Sequence, residues 1–139
     1  MKVINDSIQL STSGFSDMKD LTGKVSDKLA SLKLQSGQVT LFVPGSTGGL
    51  TTIEYESGLE QDFTELMERI SPSNKTYHHD ARWGDGNGFS HVRASLIGPS
   101  LTVPFEDGKL MLGTWQQIVF IDFDNRSRSR TIVLQFIGE

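Results

Sequence analysis

Four consecutive apolar residues, Ile118-Val119-Phe120-Ile121, constrain this chain more than any other stretch of it. Side chains of a strand alternate between its two faces, so a strand of this composition is apolar on both. Residues 131–137 repeat the pattern almost as strongly. One antiparallel sheet with a face in water does not satisfy two such strands. A second sheet, helices or neighbouring subunits must cover the other side. The same reading places strands over residues 92–97, 100–105, 109–112, 116–123 and 130–137. Asp107-Gly108 between two of them signals a two-residue hairpin turn, because both central positions favour residues that tolerate positive φ.

The first half mixes strand and helix. Strands are expected over residues 4–10 and 39–43. Between them Asp20 is placed to cap a helix whose apolar positions Leu21, Val25, Leu29 and Leu32 form one stripe and which ends before Gly37. A short strand over residues 50–55 leads into Ser57-Gly58-Leu59-Glu60, which has the form of a capping box. Leu59, Phe63, Leu66, Met67 and Ile70 then continue at helical spacing until Pro72. Asp62, Glu65, Glu68 and Arg69 read as the solvated outer face of this second helix. With no repeat or linker in sight, a single domain over residues 1–139 is expected.

Composition removes whole classes of chemistry. Cysteine is absent, so disulfides, thiolate metal sites and cysteine nucleophiles are excluded, and any metal must be held by nitrogen and oxygen. A net charge of −4 argues against a nucleic-acid partner, since such binders draw affinity from cation contacts to phosphates. Arg126, Arg128 and Arg130 are the basic exception. On a strand, Arg128 and Arg130 share a face and could meet an anion, or they form a solvated strand edge. No stretch is apolar enough to span a bilayer, and the first residues lack the basic and apolar regions of a secretory signal. No membrane association and a cytoplasmic location are therefore expected.

Candidate chemistry concentrates in residues 77–91, a Gly-, Asp- and Asn-rich segment expected to be irregular. It carries all three histidines, His78, His79 and His91, together with Asp80, Trp83 and Asp85. A neutral imidazole can ligate a metal or move a proton near neutral pH, and an adjacent carboxylate sets its tautomer and charge. The eleven residues between His79 and His91 match no local zinc motif, so metal, proton-transfer, anion-binding and plain surface roles all stay open. If His91 opens a strand, His91, Arg93 and Ser95 share a face. That row of imidazole, guanidinium and hydroxyl suits a phosphorylated ligand, or is a polar outer sheet face.

Three further positions stand out. In Pro44-Gly45-Ser46-Thr47-Gly48-Gly49, glycines let backbone N–H groups turn toward an oxyanion, and Ser46 and Thr47 add hydroxyls. Without a following lysine and helix this is not a nucleotide-hydrolysing loop. Glu54, at a strand end, could bind a divalent cation or orient a histidine. Trp115 and Gln116 follow Gly113-Thr114, where they could stack on a heteroaromatic ring and read its polar edge, or pack in a core or interface.

The run Ser95-Leu96-Ile97-Gly98-Pro99-Ser100-Leu101-Thr102-Val103-Pro104, with Asp107-Gly108 and Leu112-Gly113-Thr114-Trp115-Gln116-Gln117, resembles the signature of the YjbQ family. His79 and His91 sit where that family has two of its histidines, and Thr51-Thr52-Ile53-Glu54 is similar to its first acidic motif. Asp85 or Asn87 corresponds to its acidic position ahead of His91. The resemblance covers nearly the whole chain. It implies a compact β-rich α+β sandwich of mainly antiparallel strands with two helices, assembled as a homotrimer. It also implies secondary thiamine-phosphate synthase activity, which joins a hydroxymethylpyrimidine diphosphate to a thiazole phosphate and releases pyrophosphate. On this resemblance His79, His91, Glu54 and Asp85 are the expected catalytic residues. Gly45, Ser46, Thr47, Arg93, Ser95, Trp115 and Gln116 are the expected binders of a small phosphorylated molecule. His79, His91 and Glu54 would hold a divalent metal, Mg or Zn. The family commonly has a histidine where this chain has Gly45, so a three-histidine metal set is not available. The alternative is a non-catalytic homotrimer that binds a phosphorylated metabolite or a metal.

Overall fold

The doubly apolar segment at 118–121 becomes the centre of the smaller of two sheets. In a computed structural model describing residues 1–139, the strands are β1 (Lys2–Thr12), β2 (Asp17–Asp20), β3 (Gly37–Phe42), β4 (Gly48–Ile53), β5 (Ser100–Glu106), β6 (Lys109–Leu110), β7 (Gln117–Asp122) and β8 (Arg128–Gly138). The helices are α1 (Thr22–Leu32), α2 (Ser57–Ile70), α3 (His78–Trp83) and α4 (Gly88–Ile97). One sheet runs β1-β8-β3-β5-β6 and the other β2-β7-β4, with every pairing antiparallel.

Period two explains how β7 is buried on both sides. Ile118 and Phe120 face the larger core, which they share with Ile132, Leu134 and Phe136 of β8, Val39 and Leu41 of β3, and Val25 and Leu29 of α1. Val119 and Ile121 face the opposite way, into a second core with Met67 of α2 and Ala94 of α4. A sheet therefore covers one face of β7 and helices cover the other. β8 behaves differently from its apolar composition: Ile132, Leu134 and Phe136 are buried, while Val133 on the outer face is exposed.

Local signals hold where they involve backbone geometry. Asp107 and Gly108 both have positive φ, at 52° and 71°, as the hairpin requires. Helix starts are displaced by one residue. Leu21 rather than Asp20 is the N-cap of α1, although Asp20 Oδ1 accepts from Thr22 N at 2.9 Å. Glu56, not Ser57, caps α2, its carboxylate accepting from the N–H groups of Gly58 and Leu59. Such a carboxylate also meets the positive end of the helix dipole.

Two expectations fail in the middle of the chain. Residues 92–97 are not a strand but the last turns of α4, and the segment 77–91 is not irregular throughout, because α3 occupies 78–83. The polar–apolar alternation from His91 to Leu96 suggested a strand, yet Phe89, Arg93, Ala94 and Ile97 recur at helical intervals. Phe89, Arg93 and Ala94 are buried and Ile97 packs on the second core. Asp80 ties the two helices together: its carboxylate accepts from Tyr77 N at 3.1 Å and Gly88 N at 2.8 Å. No helix is long and apolar enough to cross a membrane.

Candidate functional site

Helix α4 and the loop entering β4 lie against each other. Gly49 packs so close to Ile97 that a Cβ there would fall 2.8 Å from Ile97 Cγ2. Between them opens a cavity of about 200 Å³ walled by Gly45, Ser46, Gly48, His91, Ser95 and Pro99. Helical geometry, not strand geometry, places His91 and Ser95 on one wall, one turn apart. Ser95 Oγ is committed to the helix, donating to His91 O at 2.8 Å.

Arg93 points elsewhere, which corrects the expected row of His91, Arg93 and Ser95. It is almost completely buried beneath α2. Nε and Nη2 donate to Ser71 O at 3.0 and 2.8 Å, and Nη2 pairs with Glu68 Oε1 at 2.7 Å. A hundred-degree step per residue turns position 93 away from 91 and 95, toward the second core. Its guanidinium staples α4 to the end of α2 and does not face the cavity.

The two histidines do meet. His79, from α3, and His91 lie with ring centroids 4.3 Å apart at 37°. Burial first, and the neighbouring His79 second, hold the His91 imidazole below its ordinary pKa, while Asp124, Asp85 and Asp80 pull the other way. His91 is therefore neutral at neutral pH. His79 Nδ1 lies 3.4 Å from Asp85 Oδ1 and 3.7 Å from Asp80 Oδ1, sealed from solvent and without a hydrogen bond. Asp80 is held below the ordinary carboxylate range, first by the Gly88 N–H.

Behind this cluster lies a charge network that sequence reading missed. Asp122 and Asp124 are wholly buried. Arg130 forks onto Asp122, Nε to Oδ2 at 2.7 Å and Nη2 to Oδ1 at 2.9 Å. Arg128 Nε donates to Asp124 Oδ2 at 2.8 Å. Thr12 Oγ1 donates to Asp122 Oδ2 at 2.6 Å, and Thr47 Oγ1 and Asn87 Nδ2 donate to Asp124 at 3.1 and 3.3 Å. Burial pushes Asp124 up, but the Asn125 N–H, Asn87, Arg128 and Thr47 together outweigh it and keep the carboxyl below its usual range. The solvated strand edge expected at Arg128 and Arg130 is thus half buried and paired. The signal was present in Asp122-Phe123-Asp124 and Arg128-Ser129-Arg130, two alternating runs of opposite charge that meet across a turn.

The remaining candidates disperse. Thr47 is buried against Asp124 and Arg130 and does not offer its hydroxyl to the cavity. Glu54 is exposed beyond β4, and its carboxylate does not converge with His79 and His91 as a metal trio. The group whose ligand atoms do converge, within 4.8 Å, is His79, Asp80 and Asp85. Asn87 is buried in the charge network, with Oδ1 unpaired, whereas Asp85 is the exposed neighbour of His79. Trp115 is 73% exposed in a turn outside the His91 cavity. Gln116 closes that turn onto Gly113 N and donates to Thr52 Oγ1 at 3.1 Å, lining a separate cavity of about 350 Å³ with Thr22, Lys109 and Thr114.

Comparison with known proteins agrees with this architecture. The model of the family described as "UPF0047 protein YjbQ-like" matches residues 6–139. A UPF0047 protein of Archaeoglobus fulgidus is 39% identical over 126 residues, covering 91% of this chain and 96% of its own. Another, from Methanothermobacter thermautotrophicus, is 36% identical over 139 residues, covering 100% and 95%. A crystal structure of a YbjQ-like protein of unknown function from Sulfolobus solfataricus superposes with a TM-score of 0.92 at 28% identity over 99% of each chain. A hypothetical protein from Aeropyrum pernix gives 0.90 at 30% identity, covering 98% and 99%. From its sequence, its strand order and its superposition on these relatives, the chain belongs to the YjbQ-like UPF0047 family.

Proposed function

We propose that the cavity between the 44–49 loop and α4 binds the phosphate end of a small phosphorylated molecule, and that the protein is an enzyme of the secondary thiamine-phosphate synthase type. The observation that carries this reading is His91, held neutral by burial in a cavity it shares with Gly45, Ser46, Gly48, Ser95 and Pro99. When a pyrimidine methylene loses its diphosphate and the thiazole nitrogen attacks, the carbon carries developing positive charge. A neutral imidazole can donate an N–H to the departing diphosphate without setting a second cation beside that carbon. A cavity of about 200 Å³ is smaller than ordinary ligand sites of roughly 300–1,000 Å³. One chain therefore holds one end of the reacting pair, and a neighbouring copy in a homotrimer completes the wall.

The test is thiamine phosphate formation by the purified protein with Mg²⁺, comparing wild type with His91→Ala at matched folding and assembly. A fall of about 100-fold is expected. No product from wild type, with both substrates turned over by an authentic synthase in parallel, overturns the assignment.

His79 supports a second reading, divalent-cation binding without turnover. Its sealed, unpartnered Nδ1 stands 3.4 Å from Asp85 Oδ1, the donor separation that bonds of about 2.1 Å give in a tetrahedral site. His79, Asp80 and Asp85 would hold the ion, and with Zn²⁺ or Mg²⁺ it would act as a Lewis acid on a phosphate oxygen. Calorimetric titration with Zn²⁺ separates the readings: binding lost in His79→Ala, with no synthase activity in wild type, favours the cation alone.

A further inference from the structure

The phosphate pocket has a donor that its lining does not reveal. Arg130 uses Nε and Nη2 on Asp122, and Nη2 also donates to Thr47 Oγ1 at 2.7 Å. Nη1 is left over: no acceptor in the chain takes either of its two hydrogens, and it is not among the atoms sealed from solvent. Guanidinium donors in a fixed fork are matched to carboxylate and phosphate oxygens. The carboxylates of Asp122 and Asp124 lock this fork in place, so little side-chain entropy remains to be lost when an anion arrives.

Its direction is set by Gly45. A Cβ on that residue would lie 3.3 Å from Arg130 Nη1 and 3.9 Å from Val43 Cγ2, with nothing else nearer than 4 Å. Gly45 does not have a positive φ, so backbone conformation does not demand glycine there. What the glycine does is leave open the space in front of Nη1. That space borders the cavity, because Gly45 and Ser46 line it together with His91. With no Cβ in the way, an oxygen seated against the bare Cα of Gly45 can reach hydrogen-bonding distance of a preorganised guanidinium. Ser46, exposed and without a partner in the chain, follows directly.

We infer that Arg130, reached through the gap at Gly45, is the anchor for a terminal phosphate or diphosphate oxygen, and that Gly45 is the residue that admits it. This deepens the phosphate-pocket reading and rests on it. A phosphate monoester and a diphosphate ester present the same oxygens to Nη1; the reacting carbon then lies on the His91 side.

The experiment is calorimetric titration of the full chain with inorganic pyrophosphate, repeated with inorganic phosphate. Gly45→Val fills the space with the backbone undisturbed. Arg130→Lys keeps a cation beside Asp122 but removes Nη1. Each is expected to weaken pyrophosphate binding about tenfold or more, the loss of one charge-assisted hydrogen bond. The double variant is expected to be no weaker than Arg130→Lys alone, because both changes remove the same contact. Where Arg130→Lys fails to fold, Gly45→Val decides alone, with unchanged thermal unfolding as its control. Affinity within twofold of wild type in Gly45→Val overturns the inference. So does an additive loss in the double variant, which would mean that valine blocks something other than Arg130. If His91→Ala abolishes pyrophosphate binding while Gly45→Val does not, the pocket stands and only the anchor falls. If wild type binds neither anion, the phosphate reading falls and takes the anchor with it.

Discussion

Replacing Arg93 with leucine separates a ligand-binding arginine from a structural one. In the fold its Nε and Nη2 are the partners of Ser71 O, at 3.0 and 2.8 Å, in a place where water does not reach. Leucine leaves that carbonyl stranded, at about 1–3 kcal/mol. Glu68 is 45% exposed and rehydrates, so the lost ion pair adds no more than about 1 kcal/mol. The guanidinium also lies over the Phe89 ring, 4.9 Å from its centroid, a contact of roughly 0.5–1 kcal/mol. Relief of the guanidinium's own desolvation offsets part of this, for a net loss of about 2–4 kcal/mol. With a urea slope of about 2 kcal/mol/M, the unfolding midpoint should fall by about 1–2 M with the slope unchanged. Protein concentration must be matched, so that any self-association contributes equally to both midpoints. Pyrophosphate affinity of the folded variant should not change. The opposite result, a midpoint within about 0.3 M of wild type together with a tenfold weaker affinity, would show that Arg93 serves a ligand and that the helical placement of α4 is wrong.

Two other perturbations have signs set by exposure and burial. Trp115→Ala should leave thermal stability within about 0.5 kcal/mol, because the indole is 73% exposed in the chain; a drop of several degrees would mean that a second subunit covers it. His91 should titrate below its ordinary value of 6.5 in a proton NMR titration, and a midpoint at or above 6.5 contradicts the buried site. The unfolded chain then takes up this proton at higher pH than the folded one, so stability falls as pH drops below 6.5 toward the folded pKa and is unaffected above it. Asp124, also lowered, adds a second loss only below its ordinary value of 3.8.

How much of this was legible in the sequence depends on how local each cause is. The hairpin at Asp107-Gly108, the stripe of α1 and the two-sided burial of β7 follow from φ preferences and from periods of 3.6 and 2, which the chain carries in itself. The family resemblance drew on the stretch from Ser95 to Gln117, which holds the Asp107-Gly108 turn, and on Thr51–Glu54, His79 and His91. Residues 91–96 misled because alternation over six positions satisfies a strand as well as it satisfies part of a helix. What chooses between them is the surface on offer: the helix buries Phe89, Arg93 and Ala94 against α2 and β7 and lets Gly49 pack against Ile97.

The site divides in the same way. Residue types and their clustering marked His79, His91, Asp85 and the 44–49 loop, and the absence of cysteine confined any metal to nitrogen and oxygen ligands. Which of them meet was a matter for the fold. Tertiary structure stacked His79 on His91, turned Arg93 and Thr47 inward, set Trp115 and Glu54 apart, and closed Asp122 and Asp124 around Arg128 and Arg130. The sequence by itself determined the apolar and turn patterns, because those are properties of neighbours along the chain. Only the folded chain decided the direction of each charged side chain, because the desolvation and pairing that govern it come from residues far apart in sequence, as Thr47 and Asp124 are.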